Sequence, residues 1–269
     1  MTAAIGRLGK VVLSGYFVAM VVFLYTPLVV LCVFAFNDAF IPALPWSGFT
    51  TKWFHNAFAN ADLTGALRRS AWIALLNGLA ATFLGVLAAV ALTGRRLFLR
   101  SLWTTLILLP LVVPYIVLAI GMVIVIHQLG YQTSLTAVLL GHIVISLPYS
   151  VLVIVPRLRT LDEAIMEAAR DLGADVLRAF TLVTLPLLLP ALISSTLIAF
   201  TISFDEFAIA SFLAPPGSPT YPVFLYSGTR TPALEPQVIA IGALVVVFSL
   251  LLVLGSEVVR RLLERRLAG

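Results

Sequence analysis

Six long apolar stretches, separated by shorter polar segments, set the hydrophobic pattern of this chain. A helix needs about 20 mainly apolar residues to cross a bilayer, and each stretch is close to that length or longer. Leu, Val and Ala recur along them without the alternation that is typical of strands. The predicted spans cover residues 11–36, 71–92, 102–126, 135–155, 187–213 and 238–255. The pattern predicts an all-α membrane protein with six transmembrane helices in one domain, residues 1–269.

Composition supports this interpretation and excludes other classes of protein. Hydrophobic residues make up 61% of the chain, charged residues 11%, and the mean hydropathy is +1.09. A soluble domain is about 25% charged, so the values exclude a soluble enzyme and a disordered chain. The single cysteine, Cys32, excludes a disulfide framework and a cysteine-based metal cluster. The first span is too long for the apolar core of a signal peptide, so we expect it to be retained.

The distribution of Lys and Arg predicts the orientation. If the N-terminus is cytoplasmic, 13 of the 17 basic residues lie in cytoplasmic segments and four lie outside. The four outside are Lys52, Arg68, Arg69 and Arg230. Cytoplasmic loops of membrane proteins carry an excess of basic residues. The chain is therefore predicted to have both termini inside.

Two outer segments have distinct patterns. Residues 37–70 are rich in aromatic residues, and residues 51–58 are predicted to form a short amphipathic helix at the interface. This segment is either an aromatic anchor in the outer leaflet or a docking or substrate-facing surface. Residues 214–236 contain six prolines, which are expected to exclude a regular helix. That loop is either a short rigid connection or a contact for an external partner.

The cytoplasmic segment 156–186 is highly charged, with four basic and five acidic residues. Its apolar residues recur at helical spacing from Leu161 to Leu172. Asp162 is a predicted N-cap, Gly173 is a predicted helix terminator, and a second short helix is expected over 175–183. A charged helical hairpin is longer than a connection between two spans needs to be, which favours a protein-docking element.

This segment resembles the EAA signature of the permease subunits of binding-protein-dependent ABC importers. The signature has E-A-A, three residues, G, nine residues, I, one residue and L-P. The matching residues are Glu167, Ala168, Ala169, Gly173, Val183, Leu185 and Pro186. Val183 is the one departure, and it keeps a β-branched apolar side chain.

The resemblance implies an importer-permease bundle whose cytoplasmic coupling helix docks on a separate ATPase. In this role Glu167 caps or pairs with a basic group of the ATPase, and Ala168 and Ala169 allow close approach. Gly173 makes the turn, and Leu185 and Pro186 complete the motif. No phosphate-binding loop occurs in the sequence. The chain is thus expected to bind no cofactor and to be no enzyme, since ATP and Mg²⁺ belong to the ATPase. The implied partners are ATPase subunits, a second permease, an extracytoplasmic substrate-binding protein and lipid of a bacterial inner membrane, with no nucleic acid.

Within that family the chain is most similar to the permeases of spermidine and putrescine importers. The supporting segments are Phe36–Asp38, Trp46–Thr50 and Ser203–Phe207. Tyr115 stands where some polyamine permeases have an acid, which leaves aminophosphonates, opines and amino-acid-like solutes open. An ion-coupled secondary transporter would leave the charged hairpin without a purpose, and an intramembrane enzyme would need a catalytic motif that the sequence lacks.

Asp205 and Glu206 are the candidate substrate-path acids, because they lie in a predicted span. Charged groups inside a membrane usually face a wet cavity. Thr201 lies one helical turn before Asp205, and Trp46 and Phe204 could provide aromatic faces for ammonium groups. The alternative is that the acids lie at the outer interface, solvated or paired with Arg230. His127 and His142 lack a third ligand nearby, so no metal site is expected.

Overall fold

The protein is described here by a computed structural model, which covers residues 7–40, 44–94, 97–228 and 235–268. Within these residues the structure is helical, and the one extended pairing is an isolated antiparallel bridge between Asn37 and Phe49. The helices are α1 (Arg7–Phe34), α2 (Lys52–Ala59), α3 (Ala61–Thr93), α4 (Arg100–Leu108), α5 (Tyr115–Gln128), α6 (Leu135–Arg159), α7 (Glu163–Asp171), α8 (Val176–Ala179), α9 (Leu185–Phe204), α10 (Ala208–Leu213), α11 (Tyr221–Gly228) and α12 (Glu235–Ala268). A 3₁₀ turn, Leu109–Leu111, follows α4, and a π-helical turn, Phe180–Thr184, joins α8 to α9.

Among the described residues, four helices are long and apolar enough to cross a membrane, or five if a bent pair counts as one span. The four cover Val11–Phe34, Ala61–Thr93, Leu135–Arg159 and Val176–Phe204. In α12 the apolar stretch, Pro236–Leu251, is shorter. The second of these spanning helices, α3, begins ten residues before the predicted boundary at residue 71. The polar residues before that boundary belong to the same helix.

The third predicted span, 102–126, is divided. Arg100–Leu111 and Tyr115–Gln128 meet at an angle of 103°. The bend falls between Pro110 and Pro114, and Pro114 precedes α5 as its N-cap residue. Because proline has no N–H and clashes with the preceding turn, an apolar run that looks continuous in sequence breaks here. Pro148, by contrast, lies inside the continuous helix α6.

The chain divides into two units, the first formed by residues 1–61 and 227–252. In this unit α2 confirms the predicted short helix, and its Trp53 is buried. The Trp53 Nε1–H donates to the carbonyl of Asn37 at 2.9 Å, and the Asn37 Oδ1 accepts from the Ser47 N–H at 3.0 Å. The aromatic segment therefore serves in part as an internal support for its own loop.

The second unit comprises residues 62–226 and 253–269. One asparagine of α3 links three of its helices: the Asn77 Nδ2 donates to Ser146 Oγ of α6 at 2.9 Å and to the Ala199 carbonyl of α9 at 2.8 Å. Further along α3, Thr82 and Ser195 share a hydrogen bond of 2.9 Å. Polar contacts of this kind join helices where lipid offers no competing water.

The proline-rich segment contains a helix, so the prediction that prolines exclude one there is wrong for Tyr221–Gly228. Pro222 is the second residue of α11. In the first turn of a helix the N–H has no intrahelical partner, and proline is tolerated. Arg230, and Arg95 and Arg96 among the basic residues predicted to be cytoplasmic, lie outside the described residues.

Candidate functional site: the helical hairpin and the acidic helix break

Residues 162–184 form two short helices joined by a tight turn. The Asp162 Oδ1 accepts a hydrogen bond from the Ala164 N–H at 3.0 Å, which confirms the predicted N-cap of α7. The Asp175 Oδ1 accepts from the Arg178 N–H at 2.7 Å and caps α8 in the same way. Each helix is therefore started by its own local carboxylate, without help from a distant residue.

The turn between these helices depends on Gly173, whose φ is +88°. Its N–H donates to the Arg170 carbonyl at 2.9 Å, and the Ala174 N–H donates to the Ala169 carbonyl at 3.1 Å. These two bonds are the Schellman pattern that closes a helix with a left-handed residue. A side chain at this φ costs about 1–2 kcal/mol, so the predicted role of Gly173 as helix terminator is confirmed.

The hairpin presents apolar side chains to its surroundings. Leu172 is 90% exposed, Leu177 71% and Leu182 73%. Glu167 and Ala168 are also exposed, and Ala169 is half-buried. Together these six residues form what we call the hairpin surface. A cluster of exposed large apolar residues beside charged ones is typical of a protein–protein contact.

The hairpin leads into the spanning helix α9 without a loop. The Leu185 N–H donates to the Phe180 carbonyl, which is the wider π-helical spacing. Pro186 follows at once and has no N–H for the ordinary helical bond, which explains why the widened turn ends here. Leu185 is half-buried and Pro186 is exposed. The last element of the motif therefore lies at the junction of hairpin and span.

The fifth predicted span is interrupted at its two acids. Helix α9 ends at Phe204, α10 begins at Ala208, and Asp205 and Glu206 lie between them. The Asp205 N–H donates to the Thr201 carbonyl at 3.2 Å and closes the last turn of α9. The prediction treated 187–213 as one helix. The two carboxylates occupy a break instead, and their surroundings differ.

Glu206 is buried, with 4% of its side chain exposed. Its Oε2 accepts hydrogen bonds from the Ile209 N–H at 2.8 Å and the Ala210 N–H at 3.1 Å, both in the first turn of α10. The same oxygen lies 3.4 Å from His142 Nε2 of α6. A carboxylate satisfies the free N–H groups at a helix N-terminus and is favoured by the helix dipole. Glu206 therefore has a structural role in forming the break.

His142 anchors the break from the neighbouring helix. It is 1% exposed, and its Nδ1 shares a hydrogen bond of 2.7 Å with Ser203 Oγ in the last turn of α9. The preceding residue, Gly141, packs so closely on α10 that an added Cβ would lie 2.6 Å from the Cγ2 of Ile209. Two consecutive residues of α6 thus contact the helices on both sides of the break.

Asp205 is exposed, and so is Thr201 one turn earlier. The Phe204 ring is half-buried and packs on Phe200 and Tyr221, with centroids 5.8 and 6.0 Å away. Thr201, Phe204 and Asp205 are therefore neighbours at the end of α9. Trp46 belongs to the first unit, where its ring lies 6.4 Å from Phe34. No group of three or more His, Cys, Asp or Glu able to hold a metal is present in the part of the chain that the structure describes.

The hairpin and the acidic break both lie in the part of the chain that matches a known protein family. Residues 81–269, which include the hairpin and the acidic break, match the family described as "Binding-protein-dependent transport system inner membrane component". The chain belongs to this family. As an inner membrane component of such a transport system, it is a multi-pass transport subunit and not an enzyme.

Individual known proteins are similar over most of the chain. The spermidine/putrescine transport system permease protein PotC of Escherichia coli is 31% identical over 94% of this chain and 96% of its own length. The putrescine transport system permease protein PotI of Escherichia coli is 34% identical, over 83% and 81% respectively. A bacterial ABC transporter that imports the acidic polysaccharide alginate shares the fold, with a TM-score of 0.74 at 20% identity, over 94% of this chain and 95% of that one.

Sequence reasoning did not find the role of His142. In the sequence it stands out only as a candidate metal ligand without a third ligand nearby. The available signal was the combination of a histidine inside an otherwise uncharged span and a glutamate inside another span. Buried charged groups in a membrane find a partner, so the pair could have been proposed, although the sequence did not indicate which acid would be chosen.

Proposed function

We propose that this chain is a permease subunit of an ATP-driven importer whose solute is a polyamine such as putrescine or spermidine. The observation that carries the proposal is the exposed carboxylate of Asp205 at a break in an apolar helix. A charge in a spanning segment is costly unless it faces water or a counter-charge. A cationic solute supplies that counter-charge, and the names of the two Escherichia coli relatives point to the same class of solute.

The surroundings of Asp205 fit an amine. Thr201 adds a hydroxyl one turn away, and Phe204 belongs to an aromatic cluster with Phe200 and Tyr221. Ammonium groups bind carboxylates through charge-assisted hydrogen bonds and bind aromatic faces by cation–π attraction. Glu206 is already engaged by α10 and His142, which leaves Asp205 as the substrate-path acid. Trp46 belongs to the first unit, and its role as an aromatic contact stays a prediction from the sequence.

The proposed topology has six spans and both termini in the cytoplasm, within a single permease domain of residues 1–269. The bent pair of α4 and α5 forms the third span, and the apolar part of α12 forms the sixth. The excess of basic residues in the inner segments supports this orientation. It places the hairpin surface in the cytoplasm and the acidic break near the outer half of the membrane.

The proposed partners follow from this arrangement. The hairpin surface docks on a separate ATPase that binds ATP and Mg²⁺, and Glu167 pairs with a basic group of that ATPase. Leu185 and Pro186 transmit movement of the docked hairpin to α9. A second permease completes the pathway, and an extracytoplasmic binding protein delivers the solute. The description of the family as binding-protein-dependent supports the last of these.

Energy-dependent uptake of labelled putrescine and spermidine tests the solute. Cells carrying the complete transporter are compared with cells lacking only this chain, and unlabelled aminophosphonate, opine and amino acid are added as competitors. Loss of polyamine uptake without the chain, with no effect of the competitors, is the expected result. Unchanged polyamine uptake without the chain would exclude polyamines as its solute. Inhibition by one competitor would assign the transporter to that competitor's class of solute.

A further inference from the structure

A groove between α3 and α6 combines apolar walls with two adjacent arginines. Its volume is about 680 Å³. The residues that define this arginine groove are Arg68, Arg69, Trp72, Leu76, Leu135 and Leu139. None of the residues that line it belongs to the acidic break or to the hairpin surface, so neither solute binding nor ATPase docking accounts for it.

The two arginines are arranged to receive an anion. The Arg69 side chain is fixed, because its Nε donates to the Pro219 carbonyl at 2.8 Å and its Nη1 would lie 3.2 Å from a Cβ placed on Gly65. A guanidinium has five N–H donors, and this contact uses one of them. Arg68 is exposed beside it. Two guanidinium groups on consecutive residues therefore line the same end of the groove.

The rest of the groove fits a hydrocarbon chain. Trp72, one turn after Arg68, is 61% exposed, and Leu75 is 42% exposed. From Arg68 to Leu76 the helix rises about 12 Å. Tryptophan is favoured at the level of lipid headgroups, and apolar side chains follow towards the membrane centre. The order along α3 is thus cationic, amphipathic and then apolar. It matches the anionic headgroup, the interfacial region and the acyl chain of a phospholipid in turn.

We propose that the arginine groove binds an anionic phospholipid. Its phosphate contacts Arg68 and Arg69, and one acyl chain lies along Trp72, Leu76 and Leu139. In the proposed orientation both helices begin on the outer side, where only four basic residues of the sequence lie. Two of those four line this groove, which is a local concentration of positive charge that an anionic headgroup recognises. The proposal does not depend on the identity of the transported solute.

Lipid retention by the assembled transporter tests the proposal. The complex is purified in mild detergent from a membrane containing phosphatidylglycerol, cardiolipin and phosphatidylethanolamine, and the bound lipids are counted by native mass spectrometry. Arg68→Gln is expected to lower retention of the two anionic lipids about fivefold, the loss expected for one basic residue at a membrane surface. Arg68→Lys, which keeps the charge, and Arg178→Gln, on the hairpin, are expected to retain them.

Equal retention in Arg68→Gln and the unmodified complex would overturn the proposal. The competing occupant is the second permease, and Trp72→Cys in a Cys32→Ala background distinguishes it. Reaction of this cysteine with a lipid-soluble thiol reagent in the assembled complex is the expected result. A disulfide or crosslink to the partner permease, with the cysteine protected from the reagent, would assign the groove to the subunit interface instead.

Discussion

Glu206 Oε2 lies 3.4 Å from His142 Nε2 inside the protein, while the carboxylate of the preceding residue, Asp205, is exposed. Two acids that are adjacent in sequence therefore have opposite surroundings. The division arises at the helix break, because the first turn of α10 binds one carboxylate and leaves the other at the end of α9. The local backbone thus assigns a structural role to one acid and leaves the other available.

The contact between His142 and Glu206 predicts coupled effects on stability. His142→Gln and Glu206→Gln are each expected to lower the free energy of unfolding by about 1–3 kcal/mol, since each leaves a buried polar partner without its contact. The double variant is expected to lose less than the sum of the two losses. Thermal unfolding of the detergent-solubilised protein measures all three. Strictly additive losses would show that the two side chains do not interact.

Asp205 and Glu206 are expected to respond differently to the same chemical change. Asp205→Asn is expected to raise the apparent KM for polyamine uptake about tenfold or more, because it removes a charge-assisted contact worth about 1.5–3 kcal/mol. It is expected to leave thermal stability unchanged, because the side chain is exposed. Glu206→Gln is the matched control, with lower stability expected. Equal effects of both variants on KM would contradict the proposal that Asp205, and not Glu206, contacts the solute.

Gly173 is expected to be essential for coupling because of its backbone. Gly173→Ala forces a Cβ into the left-handed region at a cost of about 1–2 kcal/mol, which is expected to distort the hairpin and reduce uptake while the protein remains inserted. Gly217→Ala is a matched control, since Gly217 has a φ of +77° and also has open space around it. Normal uptake is expected in that variant.

Co-purification of the ATPase separates a coupling defect from a folding defect. Glu167→Lys, on the exposed face of α7, is expected to weaken ATPase binding and uptake without loss of protein from the membrane, and Glu167→Gln is expected to do so less. Normal uptake in both Gly173→Ala and Glu167→Lys would remove the coupling role of the hairpin. A loss of inserted protein would indicate that the hairpin is needed for folding.

The close approach of α6 and α10 predicts a steric effect. Gly141→Ala places a Cβ 2.6 Å from the Cγ2 of Ile209, and overpacking of this kind costs about 1–3 kcal/mol. Gly121→Ala in α5 is the control, because nothing lies within 4 Å of its added Cβ. Lower thermal stability is expected in the first variant and not in the second. Partial recovery with Ile209→Ala added would identify that contact as the cause.

Local features were predictable from the sequence because their causes are local. Asp162 caps a helix through an N–H two residues away, and Gly173 is required by the φ of its own turn. Spans of apolar residues follow from the length and hydropathy of each consecutive stretch. The signals for these elements lie within a few residues of the elements themselves, so no knowledge of the tertiary structure was needed.

The break at Asp205 and Glu206 could not be predicted in this way. The strongest helix breaker between Leu187 and Leu213 is Pro190, yet it lies inside α9 and not at the break. The break depends instead on His142, more than sixty residues earlier, and on the N–H groups of α10. The bend after α4 was predictable as a kink at Pro110 and Pro114, but not its angle of 103°. Angles of this size depend on packing against neighbouring helices, which a hydrophobic pattern does not record.

The widened turn at Phe180–Thr184 has a mechanical consequence. It keeps the chain helical from Val176 to Phe204, a run of 29 residues, about 44 Å long. One end of this run carries Leu177 and Leu182 of the hairpin surface, and Asp205 follows the other end. If the hairpin docks as proposed, a displacement of α8 reaches Asp205 through continuous helix. In this helix the π turn and Pro190 are places where the ordinary hydrogen-bond ladder is interrupted.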